Sequence, residues 1–260
     1  MSSATTSLMH GSVGHPGEAR GRQGEALGRQ DGALERQDGA AGRQGEVVGR
    51  PGGGSVPVGD HRDRLLAGMA AALVEKGYAA VTIADVARHA HVSKRTFYEH
   101  FAEKQECFLA VYRVTSDQLF QHVGAAADPA LPLPDRIGAA VRAYLDVLAA
   151  EPRLTQTLLL EIQAVGPNGL RLRREVLRRF AIMLSARVEE GRGGDLGIRP
   201  LTIELATAVI GGVNELVLDA VEQGRADRLG DLDGTVADLV RAVLLLPPLP
   251  QGEQPGPGPG

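Results

Sequence analysis

The chain has no tryptophan, a single cysteine and an aromatic content of only 3%. One thiol, Cys107, excludes an intrachain disulfide framework and suits a reducing compartment, so a cytoplasmic protein is expected. No apolar run reaches the roughly 18 residues of a membrane span. The N-terminus lacks a charged start followed by an apolar core, so no secretory signal is read there. HExxH, GxSxG, Walker and GxGxxG segments are missing, and no Cys/His cluster has metal-ligand spacing. His89 and His91 are two apart and cannot point to one side of a helix. A non-enzyme with no metal and no cofactor is therefore expected. Few aromatics also argue against a stacking cage for a large flat cation. Excess charge of one sign is absent too: the net charge is -4. Any nucleic-acid contact must come from a local basic face rather than from the whole chain.

The composition changes near residue 57. From Gly17 the chain repeats every seven residues as GEARGRQ, GEALGRQ, DGALERQ, DGAAGRQ and GEVVGRP. A heptad invites a coiled-coil reading, but each unit carries glycine and none has paired large apolar positions. Residues 1–57 are read as a low-complexity arm expected to be disordered, and a downstream start would fall near Val56. Residues 247–260 are a Pro- and Gly-rich tail read the same way.

The segment from Thr82 to Lys104, TIADVARHAHVSKRTFYEHFAEK, carries the most information. Thr82 with Asp85 three positions later is a capping-box-like start. Ile83, Val86, Ala87 and Ala90 then recur on one helical face, and their small size permits close helix crossing. His91 and Val92 form a tight connection, and Ser93 is a good N-cap for a second short helix. That helix offers Lys94, Arg95, Thr96 and Tyr98 on one side, with Phe97 and Phe101 as the apolar counterweight. Arg88, His89, His91, Lys94 and Arg95 follow one another with no acid between them. A helix N-terminus with added cations and hydroxyls suits phosphate contact, and base edges can be read from the same helix. The layout is that of a helix-turn-helix DNA reader.

From about Arg62 to Phe108 these residues resemble the DNA-binding domain of the TetR (tetracycline-repressor) family. The resemblance rests on Gly77-Tyr78 closing a first helix, Thr-Ile-x-x-Val-Ala from Thr82, Val-Ser-x-x-Thr-Phe-Tyr-x-His-Phe from Val92 to Phe101, and Lys104 at the next helix start. Two positions depart from it. His91 stands where the family usually has Gly, and Arg95 where a small residue is common. The resemblance implies that Thr82, Tyr98, His100 and Lys104 hold phosphates, with Ser93 at the cap. It places Lys94, Arg95 and Thr96 toward the major groove. It also implies an all-α fold, with a three-helix DNA-binding domain (58–106) joined to a helical ligand-binding and dimerisation domain (107–246).

The remaining pattern is helical throughout: Asp60 to Lys76, Ala102 to Val123, Asp135 to Ala150, Pro152 to Val165, Leu170 to Glu190, Leu201 to Gln223 and Leu232 to Leu246. The Asp128–Pro134 stretch breaks the chain, and Gly166 to Gly169 reads as a turn. Arg171, Arg173, Arg174, Arg178 and Arg179 read as the wet side of a basic helix. The last two helices are apolar nearly all round and must be buried on more than one side. Burial against the same helices of a second copy is expected, through Val209, Ile210, Val213, Leu216, Val217, Val236, Leu239, Val240 and Val243. Polar interruptions of apolar helices nominate Gln118, Tyr144, Gln156, Glu161 and Asn214 as effector contacts. The expected partners are a palindromic DNA duplex, a second copy of the chain and a small-molecule effector of unread identity, with no membrane. A DNA-binding dimer controlled by a protein partner is the alternative.

Overall fold

The computed structural model describes residues 58–192 and 198–245, with backbone alone at 58–60, 192 and 245. The repeat arm and the Pro/Gly tail lie outside these residues. Among the described residues there are nine α-helices, one short 3-10 helix and no strand. The first four are α1 (Val58–Ala80), α2 (Ile83–Ala90), α3 (Lys94–His100) and α4 (Lys104–Ala126). Then follow α5 (Leu133–Ala150), α6 (Pro152–Ala164), α7 (Pro167–Arg192), α8 (Ile203–Glu222), the 3-10 turn Leu229–Leu232 and α9 (Asp233–Leu245).

The helices α1 to α3 wrap one small core. Leu65, Met69 and Leu73 of α1 meet Val86 and Ala90 of α2, Phe97 and Phe101 around α3, and Cys107, Phe108 and Val111 of α4. α1 can cross α2 closely because residue 68 is glycine. A Cβ there would lie 2.7 Å from the Val86 carbonyl oxygen and 2.8 Å from the Ala90 nitrogen. Gly77 interrupts α1 at φ 72, a left-handed backbone that glycine adopts without Cβ strain.

The second half is a packed bundle continuous with the first. Phe120 of α4 meets Phe180 of α7 edge-on at 5.4 Å, and Arg179 donates to Asp117 between the same helices. Ser185 Oγ of α7 donates to the Leu201 carbonyl at 2.7 Å, fastening the entry to α8. The expected turn at Gly166 to Gly169 is shorter than the sequence suggests. Only Gly166 takes positive φ, and helix α7 already begins at Pro167. Proline suits a first helical position, where its missing N–H has no intrahelical partner to lose.

The two apolar helices find their burial inside the chain. Val209, Val213, Val217, Val236 and Val240 are all buried in the single chain. They therefore cannot serve as a free seam for a second copy. The apolarity that suggested such a seam is used against α5, α7 and an internal cavity. Ile210, Leu216, Leu239 and Val243 remain partly exposed.

Two expectations follow. Gly68→Val forces α1 away from α2 at a backbone contact that cannot yield, so urea denaturation should give a loss of about 1–3 kcal/mol. Cys107 is fully buried, and burial pushes its thiol up to about 12 from the ordinary 9.0. Between those values the unfolded chain has released the proton and the folded chain holds it, so stability falls as pH rises through that window. Urea midpoints on either side of pH 9.0 should drop more for the natural chain than for Cys107→Ala, and equal drops would refute the assignment.

Candidate functional site

The reader helices owe their orientation to caps. Thr82 Oγ1 accepts from the Asp85 N–H at 3.2 Å and donates to Asp85 Oδ2 at 2.7 Å. The Thr82 N–H donates to the same carboxylate at 3.0 Å, completing a capping box. Lys76 donates to Asp85 Oδ1 at 2.6 Å, and this bond, with those from Thr82, holds the Asp85 carboxyl well below the usual carboxylate range. α2 ends in a Schellman-type turn with His91 left-handed at φ 53 and ψ 44. His91 N–H bonds the Arg88 carbonyl, and Val92 N–H bonds the Ala87 carbonyl. Left-handed backbone costs a non-glycine residue about 1–2 kcal/mol. Arg64 of α1 offsets it by donating to the carbonyls of Ala90 at 3.0 Å and His91 at 2.6 Å. Ser93 then caps α3, accepting from the Thr96 N–H at 3.0 Å.

The exposed edge of α3 is short and cationic. Lys94 is exposed and has no partner among the described residues. The Arg95 side chain is 87% exposed, and its only tie among the described residues is to Glu99 one turn on, at 3.2 Å. Tyr98 is 58% exposed, an unusual position for a ring, and its inner edge rests on Phe97 at 5.7 Å between centroids. A semi-rigid ring with a free hydroxyl beside two cations is suited to phosphate and base-edge contact.

A second feature lies in the helical half. A cavity runs between α4, α5, α6, α7, α8 and α9, lined mainly by aliphatic side chains. Its polar lining is sparse and includes Arg136, Tyr144, Thr155 and Asn214.

The family model for bacterial regulatory proteins of the tetR family matches residues 65–111, which span α1 to the first turns of α4. Over 96 residues the chain is 34% identical to the HTH-type transcriptional activator FasR of Mycolicibacterium smegmatis, covering 37% of this chain and 44% of that protein. It is 25% identical over 153 residues to the HTH-type transcriptional regulator YhgD of Bacillus subtilis, covering 58% of this chain and 78% of that one. The chain thus spans less than half of the first of these relatives. The fold is similar to that of FadR, a fatty acid degradation regulator from Bacillus halodurans, with a TM-score of 0.61 at 19% identity over 69% of this chain and 94% of that one. It is also similar to FadR from Bacillus subtilis, solved with stearoyl-CoA, with a TM-score of 0.60 at 18% identity over 68% and 96%.

Residues 65–111 form a DNA-binding domain of the tetR family.

In this tetR-type domain the residues assigned to DNA do not all keep their functional groups free. Lys94, Arg95 and Tyr98 project outward from α3. Ser93 and Thr96 share a hydroxyl–hydroxyl contact of 2.9 Å at the cap. Thr82 spends its hydroxyl on Asp85. His100 is half-buried, 6.4 Å from the His61 ring. Lys104 departs most from its assignment. Its ammonium donates to the carbonyls of Tyr78 at 2.8 Å and Val81 at 2.9 Å and sits 4.4 Å over the Tyr78 ring. It ties the α1–α2 turn to α4. The cationic run is also less free than its sequence suggests. Glu75, from α1, binds His89 at 2.7 Å and Arg88 at 3.2 Å, and these contacts lower its own pKa. Its acid comes from another helix, so adjacency in sequence could not reveal it.

Of the five nominated effector contacts, Tyr144 and Asn214 line the cavity. Gln118, Gln156 and Glu161 do not. Gln156 is exposed, and Gln118 sits on α4 away from the lining. Glu161 of α6 instead accepts the Tyr78 N–H at 3.1 Å, beside the Gly77 kink. Gln105 at the start of α4 donates to the Val165 carbonyl past the end of α6. The end of α6 is therefore fastened to the base of the reader. Sequence reading missed Arg136, which is buried among apolar residues near the α4–α5 turn. Its one signal was a cation inside the otherwise apolar face Leu133, Ile137, Ala140, Val141.

The outward donors predict separable losses on a selected duplex. Lys94→Ala should weaken binding across sequences and reduce the salt slope by about 1. Tyr98→Ala should cost DNA affinity with the unfolding midpoint unchanged, because the ring is mostly outside the core. Unaltered DNA affinity in both variants would remove α3 from the groove.

Proposed function

We propose that this chain is a dimeric, sequence-specific transcriptional regulator, a repressor that leaves a palindromic operator when a small molecule occupies the helical half. One observation carries the reading: an exposed, cationic, capped α3 shares a chain with an apolar cavity, and α6 links them. α6 lines the cavity through Leu154, Thr155, Leu158 and Leu159 and bonds the reader through Glu161. A molecule that shifts α6 therefore acts on the end of α1 and the start of α4 at once.

A single short reader helix gives little specificity. Two copies about one DNA turn apart, roughly 34 Å, read an inverted repeat with multiplied affinity. Of the nine apolar positions nominated on α8 and α9, Ile210, Leu216, Leu239 and Val243 stay partly exposed and are left for a second copy. The effector need only favour the state that does not fit DNA: a roughly 100-fold preference couples about 2.7 kcal/mol between the sites. The similar fold of FadR from Bacillus subtilis, solved with stearoyl-CoA, supports a small-molecule effector. No catalytic role is proposed.

The test is selection of bound duplexes from a random pool with the full chain, together with sedimentation of the free protein. The expected result is an enriched inverted repeat bound by two chains. A folded protein that enriches nothing at low salt refutes the reading. Once an operator and an effector are in hand, Glu161→Ala should keep operator binding and blunt the effector response. An unchanged response would exclude the α6 route.

A further inference from the structure

The cavity holds an unmet charge. Arg136 is 7% exposed and lines it. One guanidinium nitrogen, Nη2, donates to the carbonyls of Pro129 at 2.8 Å and Leu131 at 3.3 Å. Nε is buried without a partner, and the side-chain contacts of Arg136 among the described residues are to carbonyls, not to a carboxylate. Guanidinium does not give up its proton in a protein. Two neutral carbonyls do not neutralise it, and buried charges are otherwise paired. The site is thus built for an anion that the described residues do not supply.

The rest of the lining says what the anion is attached to. Along α4 it extends from Tyr112 to Ala127, about 22 Å of helix axis. That equals an extended chain of roughly 18 single bonds at about 1.2 Å each. Most of the walls are Leu, Ile, Val and Ala, which reward a saturated tail and repel a polar one. Charge also sets direction. The acidic lining residue, Glu151, ends α5 about 22 Å along the helix from Arg136. The other cation, Arg187, is held by Glu190 at 2.9 Å. Asn214 Nδ2 is a further buried donor without a partner, and it offers a place for one more oxygen on the chain.

We infer that the cavity takes a long-chain monocarboxylic acid, its carboxylate against Arg136 and its tail running toward Leu154 and Leu158. This rests on the reading of the helical half as an effector domain. The same acyl chain could arrive free or as a coenzyme A thioester, and only the free acid presents a carboxylate to the buried guanidinium.

The test is calorimetric titration of the full chain, without DNA, using palmitate, methyl palmitate, hexadecanol and palmitoyl-CoA. The expected result is one palmitate per chain, with the ester and the alcohol about tenfold weaker or more, since they lack the charge. Arg136→Gln should erase that difference, and Arg136→Lys should keep part of it. Equal binding of acid and ester, preference for the thioester over the acid, or no binding of any of them overturns the inference. If Arg136→Gln does not fold, the acid-against-ester comparison on the natural chain still decides. The titration contains no operator and reads the cavity's ligand class alone; a separate finding that palmitate leaves operator affinity unchanged would defeat the proposed regulation but not that class.

Discussion

The close crossing of α1 over α2 at Gly68 is the contact on which the reader depends. It brings two backbones within a distance that no side chain permits. That proximity lets Arg64 reach the carbonyls at the end of α2. Arg64 in turn supports His91 in a left-handed turn that would otherwise favour glycine. The turn fixes the angle at which α3 leaves α2, and therefore where Lys94, Arg95 and Tyr98 point. A departure from the family pattern at one position is thus compensated by an arginine 27 residues earlier in the chain.

The second constraint is the joint between the two halves. Two polar side chains meet at the Gly77 kink, Lys104 on the carbonyls of Tyr78 and Val81 and Glu161 on the Tyr78 N–H, and Gln105 joins α4 to the Val165 carbonyl past α6. Each satisfies a backbone group at a helix end, where intrahelical partners are missing. The kink burdens the joint with free backbone groups, and the joint supplies their partners from α4 and α6. Such a connection is directional and short, so a small displacement of α6 is felt at the reader. It is also why Lys104 and Glu161, both nominated for ligand or DNA, are engaged inside the protein instead.

The cavity explains the character of α8 and α9. Their apolar sides face an internal void as well as neighbouring helices, and a helix flanking such a void looks in sequence like a helix flanked by a partner chain. The period-3.6 pattern is the same in both cases. Val213 and Val240 therefore could not be sorted between cavity wall and intermolecular seam by pattern. Tyr144 and Asn214 could be nominated because polar groups inside apolar runs demand a reason. Arg136 escaped because a charged residue near a helix start reads as surface.

The sequence by itself determined the all-helical fold, the capped α2–α3 pair with its exposed donors and the likeness of that domain to the tetR family. These depend on contacts within a few residues: capping hydroxyls, helical periodicity, and a motif whose spacing is its geometry. Tertiary structure alone decided which of those donors are free, since Glu75 and Tyr78 of α1 claim Arg88, His89 and Lys104 from another helix. It alone decided that Glu161 joins the two halves and that Arg136 lies unpaired in an apolar cavity. The physical reason is one of range: a cap or a stripe is written in neighbouring residues, whereas the partner of a buried charge is set by which helices happen to pack around it.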